Sequence, residues 1–403
     1  MSNTCKQERV KEYIVKHTIK KSSLWVFARK VRNTIFRYSR KVQNNPLLFN
    51  RSPKWLKSPE YAKRFNAKWH KVFDRMPARH SPVVFHGALV ADLQRNLEPE
   101  FPEQGVLELT NALLYGKFGW IFSEEGYLLP DHSQFGRHVN QMKTVPRFLP
   151  KGKRIKGVCL SLVTDFGEVY GHFIHDFLPR MELFNKAGYK IGDVDHIACR
   201  KPPPGNAWRL FEQLEIPSNK LIWTDSMTAI RVDILLAPSF PGTRMNSPNW
   251  VPEFLRQKFT PLPPPPTRRL YVSRSGFKRN PVNVEAVNRI LIRRGFEIYN
   301  PSDHIDSHID FSEATIVVGA NGSGLAGLAF CQPGTKVLEL IPTDHVKSYF
   351  YTLSDAAGLD YGCLVCRSTN ERGPDAWGSS PYDFYVNENE FDDALARITG
   401  ETK

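Results

Sequence analysis

Between Arg268 and Pro342 the chain alternates two kinds of hydrophobic spacing. Three short apolar, β-branched runs, Leu270–Val272, Thr315–Val318 and Lys336–Ile341, read as buried strands. Between the first two, Val284, Val287, Ile290 and Leu291 recur at helical spacing. Strands alternating with helices predict βαβ units and a parallel sheet, a Rossmann-like half-domain. The earlier chain repeats the pattern less regularly. Val106–Leu113, Gly119–Phe122 and Glu125–Leu129 are strand-like, and Gly157–Val163 reads as a buried strand. A helical pattern follows, beginning after Gly171 and running to Phe184, with Pro179 expected to kink or reset it. Asp195–Ala198 and Val232–Ala237 are further strands, with a helix at Ala207–Leu214 between them. Pro261-Leu-Pro-Pro-Pro-Pro-Thr267 separates the halves as an extended, semi-rigid stretch. The tail reads as a short strand in Tyr382–Asn387 and a terminal helix over Glu388–Ile398.

The pattern predicts an α/β protein of two α/β halves, the second Rossmann-like, with a cleft between them and a basic helical N-terminal extension. Residues 1–75 form the extension, 76–260 one α/β domain, 261–267 the linker and 268–403 the second α/β domain. A length of 403 residues suits two domains. No apolar run approaches the ~20 residues of a membrane span. The opening MSNTCKQERVKEY has no apolar core of a secretory signal, so the expectation is a cytoplasmic or peripheral protein.

Charge changes this picture at one end only. Residues 1–75 hold 20 Lys and Arg against four acidic residues, whereas the remainder is near neutral. Val10 and Ile14, then Trp25, Ala28, Val31 and Ile35, make apolar stripes among Lys11, Lys16, Lys20, Arg29, Lys30 and Arg32. Such a basic amphipathic helix could lie on an anionic membrane, bind nucleic acid, or pack on the globular body. The membrane surface is the expectation, through residues 8–42, at the cytoplasmic face. No nucleic-acid motif accompanies the charge, so no nucleic acid is expected as a partner.

Candidate chemistry gathers at three places. Gly319-Ala320-Asn321-Gly322-Ser323-Gly324 turns from a strand into a helix expected near Leu325, a geometry that admits a phosphate; glycines needed only for the turn are the alternative. Arg274 follows a strand end, where a guanidinium matches phosphate, and Lys278 and Arg279 share its loop; a solvated basic loop is the alternative. Glu339, near the end of the last strand, is placed to accept from ribose hydroxyls, or else to pair with Arg274 or a helix. His172 and Asp176, four apart on a helix, share a face as a general base and its orienting partner would, though the same groups can merely satisfy a buried helix end. His175 points elsewhere. Cys363-Leu-Val-Cys366 reads as two strand cysteines, and His304 and His308, among Asp303, Asp306 and Asp310, as a polar helix face. No metal site is expected. G-x-x-x-x-G-K-S/T and G-x-S-x-G are both missing, which removes P-loop and α/β-hydrolase chemistry.

At these residues the chain resembles glycosyltransferase family 61. Tyr170-Gly-His-Phe-Ile-His-Asp-Phe-Leu-Pro-Arg180 is similar to the family's Y-x-H-W-x-x-D-x-L-P-R, Tyr271-Val-Ser-Arg274 to its I-S-R, and Val317–Gly327 with Val337–Pro342 to its last motifs. The likeness runs from about Leu107 to the C-terminus. Two departures stand out: Asn321-Gly322-Ser323 where the family usually has His-Gly-Ala, and Phe173 where it has Trp. The resemblance implies a GT-B fold, two Rossmann-like domains facing across a cleft, and inverting, metal-independent transfer from a nucleotide-sugar, a co-substrate in place of a cofactor, to a polysaccharide or lipid-linked glycan of a capsule or other surface polymer. It implies Asp176 as base with His172 orienting it, the reverse assignment remaining open, and donor contacts from Arg274, Asn321, Gly322, Ser323, Gly324 and Glu339. Two other functions remain. Asn321 cannot carry a proton at neutral pH, which suits a nucleotide-sugar or glycan-binding module without turnover. Gly322-Ser-Gly-Leu-Ala-Gly327 also spells the G-x-G-x-x-G of a nucleotide-cofactor oxidoreductase, though Glu339 follows sooner than the ~20 residues expected.

Overall fold

A computed structural model describes residues 54–401, except 79, 82, 84–92, 94–96, 98–99, 133–148, 165, 243–245 and 372–378. The basic stripe at residues 8–42 lies outside the described residues. Residues 54–142 and 151–403 form one compact unit built on two sheets.

The first sheet has the order β1-β4-β9-β6-β7-β8, with β5 paired to β4. These strands are β1 (Lys68–Phe73), β4 (Gln104–Tyr115), β5 (Trp120–Phe122), β6 (Lys153–Ser161), β7 (His196–Cys199), β8 (Leu221–Trp223) and β9 (Ala229–Pro238), while β2 (Met76–Pro77) and β3 (Glu100–Phe101) make a separate ribbon. β9, β6, β7 and β8 run parallel and β1, β4 and β5 pair antiparallel. Because β1 pairs with β4, part of the segment assigned to the extension belongs to this sheet.

The second sheet has the order β11-β10-β12-β13-β14-β15. Its strands are β10 (Arg268–Val272), β11 (Glu297–Tyr299), β12 (Ala314–Ala320), β13 (Lys336–Pro342), β14 (Asp360–Ser368) and β15 (Phe384–Tyr385), all parallel except β15. Alternate residues of the central strands enter two different cores. Leu270, Val272, Val317, Val337 and Ile341 face one; Tyr271, Ile316, Val318, Leu338 and Leu340 face the other. A sheet buried on both faces explains why these strands read as unbroken apolar runs.

The first of those cores also takes Leu160, Ile197 and Leu236 from the first sheet, together with Phe173, Phe177 and Phe184 from the helix after β6. One hydrophobic layer therefore joins the two sheets. The linker 261–267 crosses at the surface, where Gln332 Nε2 donates to Pro264 O at 2.8 Å. The terminal helix Glu388–Thr399 starts where Asn387 accepts from the N–H groups of Asn389 and Glu390, and ends at left-handed Gly400. Among the described residues no helix is long and apolar enough to cross a membrane.

Candidate active site

The helix after β6 begins at Tyr170 and changes winding twice. Tyr170–His172 is α-helical, Phe173–Phe177 forms a π turn, and Leu178–Lys186 is α-helical again. Pro179 accounts for the change. It has no N–H to give to the carbonyl one turn back, and its ring would press on that carbonyl. The wider turn lets Leu178 N–H reach Phe173 O and leaves Pro179 in the first turn of the next helix, where a missing N–H is harmless. The predicted kink is thus a π turn.

Within this segment His172 Nδ1 and Asp176 Oδ2 are 2.7 Å apart. A carboxylate only accepts, so in this pair the imidazole donates from Nδ1. Phe166 stacks on the His172 ring at 5.4 Å. His175 points away, as expected: it is buried near Ser247 Oγ, and burial pushes its pKa down to about 4. Arg180, absent from the candidates, is completely buried. Its guanidinium donates to the carbonyls of Pro238, Val163 and Ser161 at 2.8–3.0 Å, fastening the helix to the carboxyl ends of β6 and β9. Burial lowers its pKa to about 9, against the pull of Asp176, and it stays charged at neutral pH.

The second group lies at the carboxyl ends of β10 and β12. The helix after β12 is of 3-10 type and begins earlier than expected, over Ser323–Phe330. Gly322 has ordinary extended geometry, so it is not a glycine for its φ angle. A Cβ there would collide with the guanidinium of Arg274, which occupies that space. Gly327, likewise, clears the ring of Phe311. Arg274 Nε donates to Lys278 O at 2.9 Å. Burial, and then the neighbouring charge of Arg279, lower its pKa to about 10, so it too remains a cation. Arg279 is buried, with a left-handed backbone (φ +62°) that non-glycine residues adopt at a cost. Its side chain donates to Asn321 O at 3.0 Å and Ser380 O at 3.2 Å. Ser323 is exposed at the turn and Gly324 is half-buried beside Val272.

Glu339 requires a correction. It is not at a strand end open to a ribose but midway along β13, completely buried. Both its oxygens are occupied: Asn321 Nδ2 donates to Oε1 at 2.7 Å and Tyr361 OH to Oε2 at 2.6 Å. Burial outweighs these bonds and pushes its pKa up to about 7. Glu339 therefore orients Asn321, whose own carbonyl holds Arg279. The side-chain amide of Asn321 is committed inward.

The two groups are neighbours. The turn Tyr170–His172 packs directly on the helix Ser323–Phe330. Tyr170 OH donates to Asn206 Oδ1 at 2.9 Å, and Asn206 Nδ2 contacts Ile305 O and His308 Nδ1 across the sheets. His308 is thus a bridge between halves, and His304 pairs with Asp310 at 3.2 Å. Cys363 and Cys366 enter opposite cores of β14, and burial pushes both thiols up to about 12.

Residues 170–338, which span both groups, match the family model described as Glycosyltransferase 61. Over this segment the chain is similar to glycosyltransferase family 61. No curated relative matches it. The matched family is one of glycosyltransferases, and the likeness implies a nucleotide-sugar donor and a glycan acceptor. Of the residues outside the candidates, Arg180 was readable only as part of the Leu-Pro-Arg motif, and Tyr361 gave no signal. Arg279 shared a loop with Arg274, but its backbone conformation has no mark in the sequence.

Proposed function

We propose that the chain transfers a sugar from a nucleoside diphosphate donor to a polysaccharide or lipid-linked glycan in surface-polymer biosynthesis, with inversion and without a metal. The observation that carries this reading is the pair of neighbouring cations at the turn, Arg274 filling the space left by Gly322 while Arg279 holds Asn321 O. Two like charges brought together in a half-dry setting repel, and a diphosphate would relieve that repulsion. In a GT-B-like arrangement the donor's diphosphate sits on Arg274 and the turn Asn321–Gly324, at the seam between the two sheets. The His172–Asp176 pair lies on the neighbouring helix, where an acceptor hydroxyl would attack. Its hydrogen bond favours the reverse of the expected assignment: His172 Nε2 takes the proton, and Asp176 orients the ring and stabilises the imidazolium. Attachment of residues 8–42 to an anionic inner membrane face is the corresponding proposal for the extension, supported by charge pattern alone. It is abandoned if the full chain sediments equally with neutral and anionic vesicles.

Thermal shift of the full chain against UDP- and GDP-linked sugars tests the donor site, since a ligand at a hundred times its Kd stabilises by ~2.7 kcal/mol. Stabilisation by a nucleotide-sugar together with slow donor hydrolysis is expected. Stabilisation by NAD(H) alone would return the oxidoreductase reading. Binding with neither hydrolysis nor transfer would make the protein a binding module, as the committed Asn321 amide suggests for a second reading.

A further inference from the structure

The aromatic side chains of the π turn continue out of the core to the surface. Phe173 stacks on Phe177 at 5.0 Å, and Phe177 meets Phe211 at 5.9 Å. Phe211, itself buried, lies 5.7 Å from Trp208 and 5.8 Å from Trp223. The two indoles are 6.4 Å apart and inclined at 36°. Trp223 is 42% exposed and Met227, just beyond it, 82%. Single exposed apolar residues are ordinary, but a contiguous group with a polar rim marks a binding surface.

That rim is present and ordered. Lys201 Nζ stands 5.6 Å over the Trp208 ring, and Trp208 Nε1 donates to Glu212 Oε1 at 2.9 Å, which fixes the indole plane. Trp208, Phe211 and Glu212 come to one side because they lie three and four apart on the helix Asn206–Glu212. Trp223 is the last residue of β8, level with Cys199 at the end of β7.

Two physical links run from these indoles to the candidate base. Asn206, at the start of the helix carrying Trp208, accepts from Tyr170, two residues before His172. Arg200 donates to Thr224 O, beside Trp223, and pairs with Glu168 at 2.9 Å. Glu168 belongs to the loop whose Phe166 stacks on His172. The aromatic surface and the base thus share the carboxyl edge of β6, β7 and β8.

We infer that Trp208 and Trp223 form an acceptor subsite on which pyranose rings of an oligosaccharide stack. The inference rests on the glycosyl-transfer reading above, which requires a glycan acceptor on this side of the seam. The electron-rich faces of two inclined indoles attract the polarised C–H bonds of successive sugar rings. Lys201, Glu212 and Arg200 offer the hydroxyls donors and acceptors, and the stacked chain leads toward His172.

Binding of the full chain to an immobilised oligosaccharide array in the presence of UDP is the test, for the intact protein and for Trp208→Ala, Trp223→Ala and Trp208→Phe. The intact chain should capture a set of glycans, both alanine variants should bind that set about tenfold more weakly, and Trp208→Phe should retain most of it. UDP-induced stabilisation should be the same in all four. Undiminished glycan capture by alanine variants of normal melting temperature overturns the subsite, as does an intact chain that captures nothing. A change in sedimentation on losing either indole, with glycan binding intact, would make the surface a contact between copies. Loss of UDP stabilisation in the intact protein is a different failure, that of the donor reading.

Discussion

The two sheets each present a carboxyl edge to the candidate site, and each edge carries arginine, but the charge is used in opposite ways. On the first sheet, Arg180 is sealed in and each of its three guanidinium nitrogens donates to a backbone carbonyl. Such a cation holds strands and helix in register and offers nothing to a ligand. On the second sheet, the charge of Arg279 lies close enough to Arg274 to raise its cost of ionisation, beside a glycine that leaves room for the Arg274 guanidinium. The His172–Asp176 pair, proposed for acid–base work, sits with Arg180, and the proposed anion site with Arg274, whose Nε donates to Lys278 O. A buried charge therefore has to be judged by its acceptors and not by its depth.

This contrast can be broken by experiment. The largest expected effect is on the first edge. Asp176→Asn keeps the shape of the pair but removes the group that orients and balances His172, so transfer should fall by about 10²–10⁴-fold with donor affinity unchanged. His172→Ala should match it, whereas His175→Ala should act through stability because that ring is buried. Steady-state rates near the wild-type value in Asp176→Asn and His172→Ala would leave the pair a structural one.

A smaller effect is expected on the second edge. Arg274→Ala should weaken nucleotide-sugar binding tenfold to a hundredfold, the loss of a charge-assisted contact worth ~1.5–3 kcal/mol. Gly322→Ala should do the same from the other side, because its methyl displaces the flexible end of Arg274 and leaves the fold intact. Calorimetric titration of both variants checks this, and wild-type affinity in the pair moves the donor site elsewhere.

The smallest effect on transfer concerns Glu339. Its folded pKa, about 7, lies above the ordinary 4.5, so the folded protein holds a proton that the unfolded chain has released. The stability this gives is present below about pH 4.5 and is lost as pH rises through about 7, a change of at most ~3 kcal/mol. Glu339→Gln removes the titration. Urea midpoints of the variant and wild type should therefore differ in their pH slope between about 4.5 and 7, and parallel slopes there would refute the assignment.

How much of this was legible follows from the kind of interaction involved. The strands of the second sheet were readable because central parallel strands are apolar on both faces. That same fact could have placed Glu339. In Val337-Leu-Glu-Leu-Ile341 there is no solvent face for a carboxylate, so a reading of the strand as central makes it a buried, bonded group and not a ribose contact. His172 and Asp176 were legible because helical spacing brings residues four apart together. The winding of that helix was not, since Pro179 announces a disturbance without saying whether it becomes a bend or a wider turn. Tyr361 and Asn206 were beyond reach for another reason: their partners are 22, 36 and about a hundred residues away, and only the assembled sheets bring them together.

The π turn has a consequence for the length of this segment. A wider turn takes up one residue more than an α-turn, and each residue of an α-helix advances the azimuth by about 100°. Excising any one residue between Phe173 and Phe177 would restore uniform winding but put the two ends out of phase. With Arg180 anchored by its three carbonyls, His172 would swing away from the seam; with His172 held, Arg180 would leave its seat. The stretch between them can exchange side chains of similar shape, as Phe173 in place of the family's usual Trp illustrates, but its residue count is fixed by geometry at both ends.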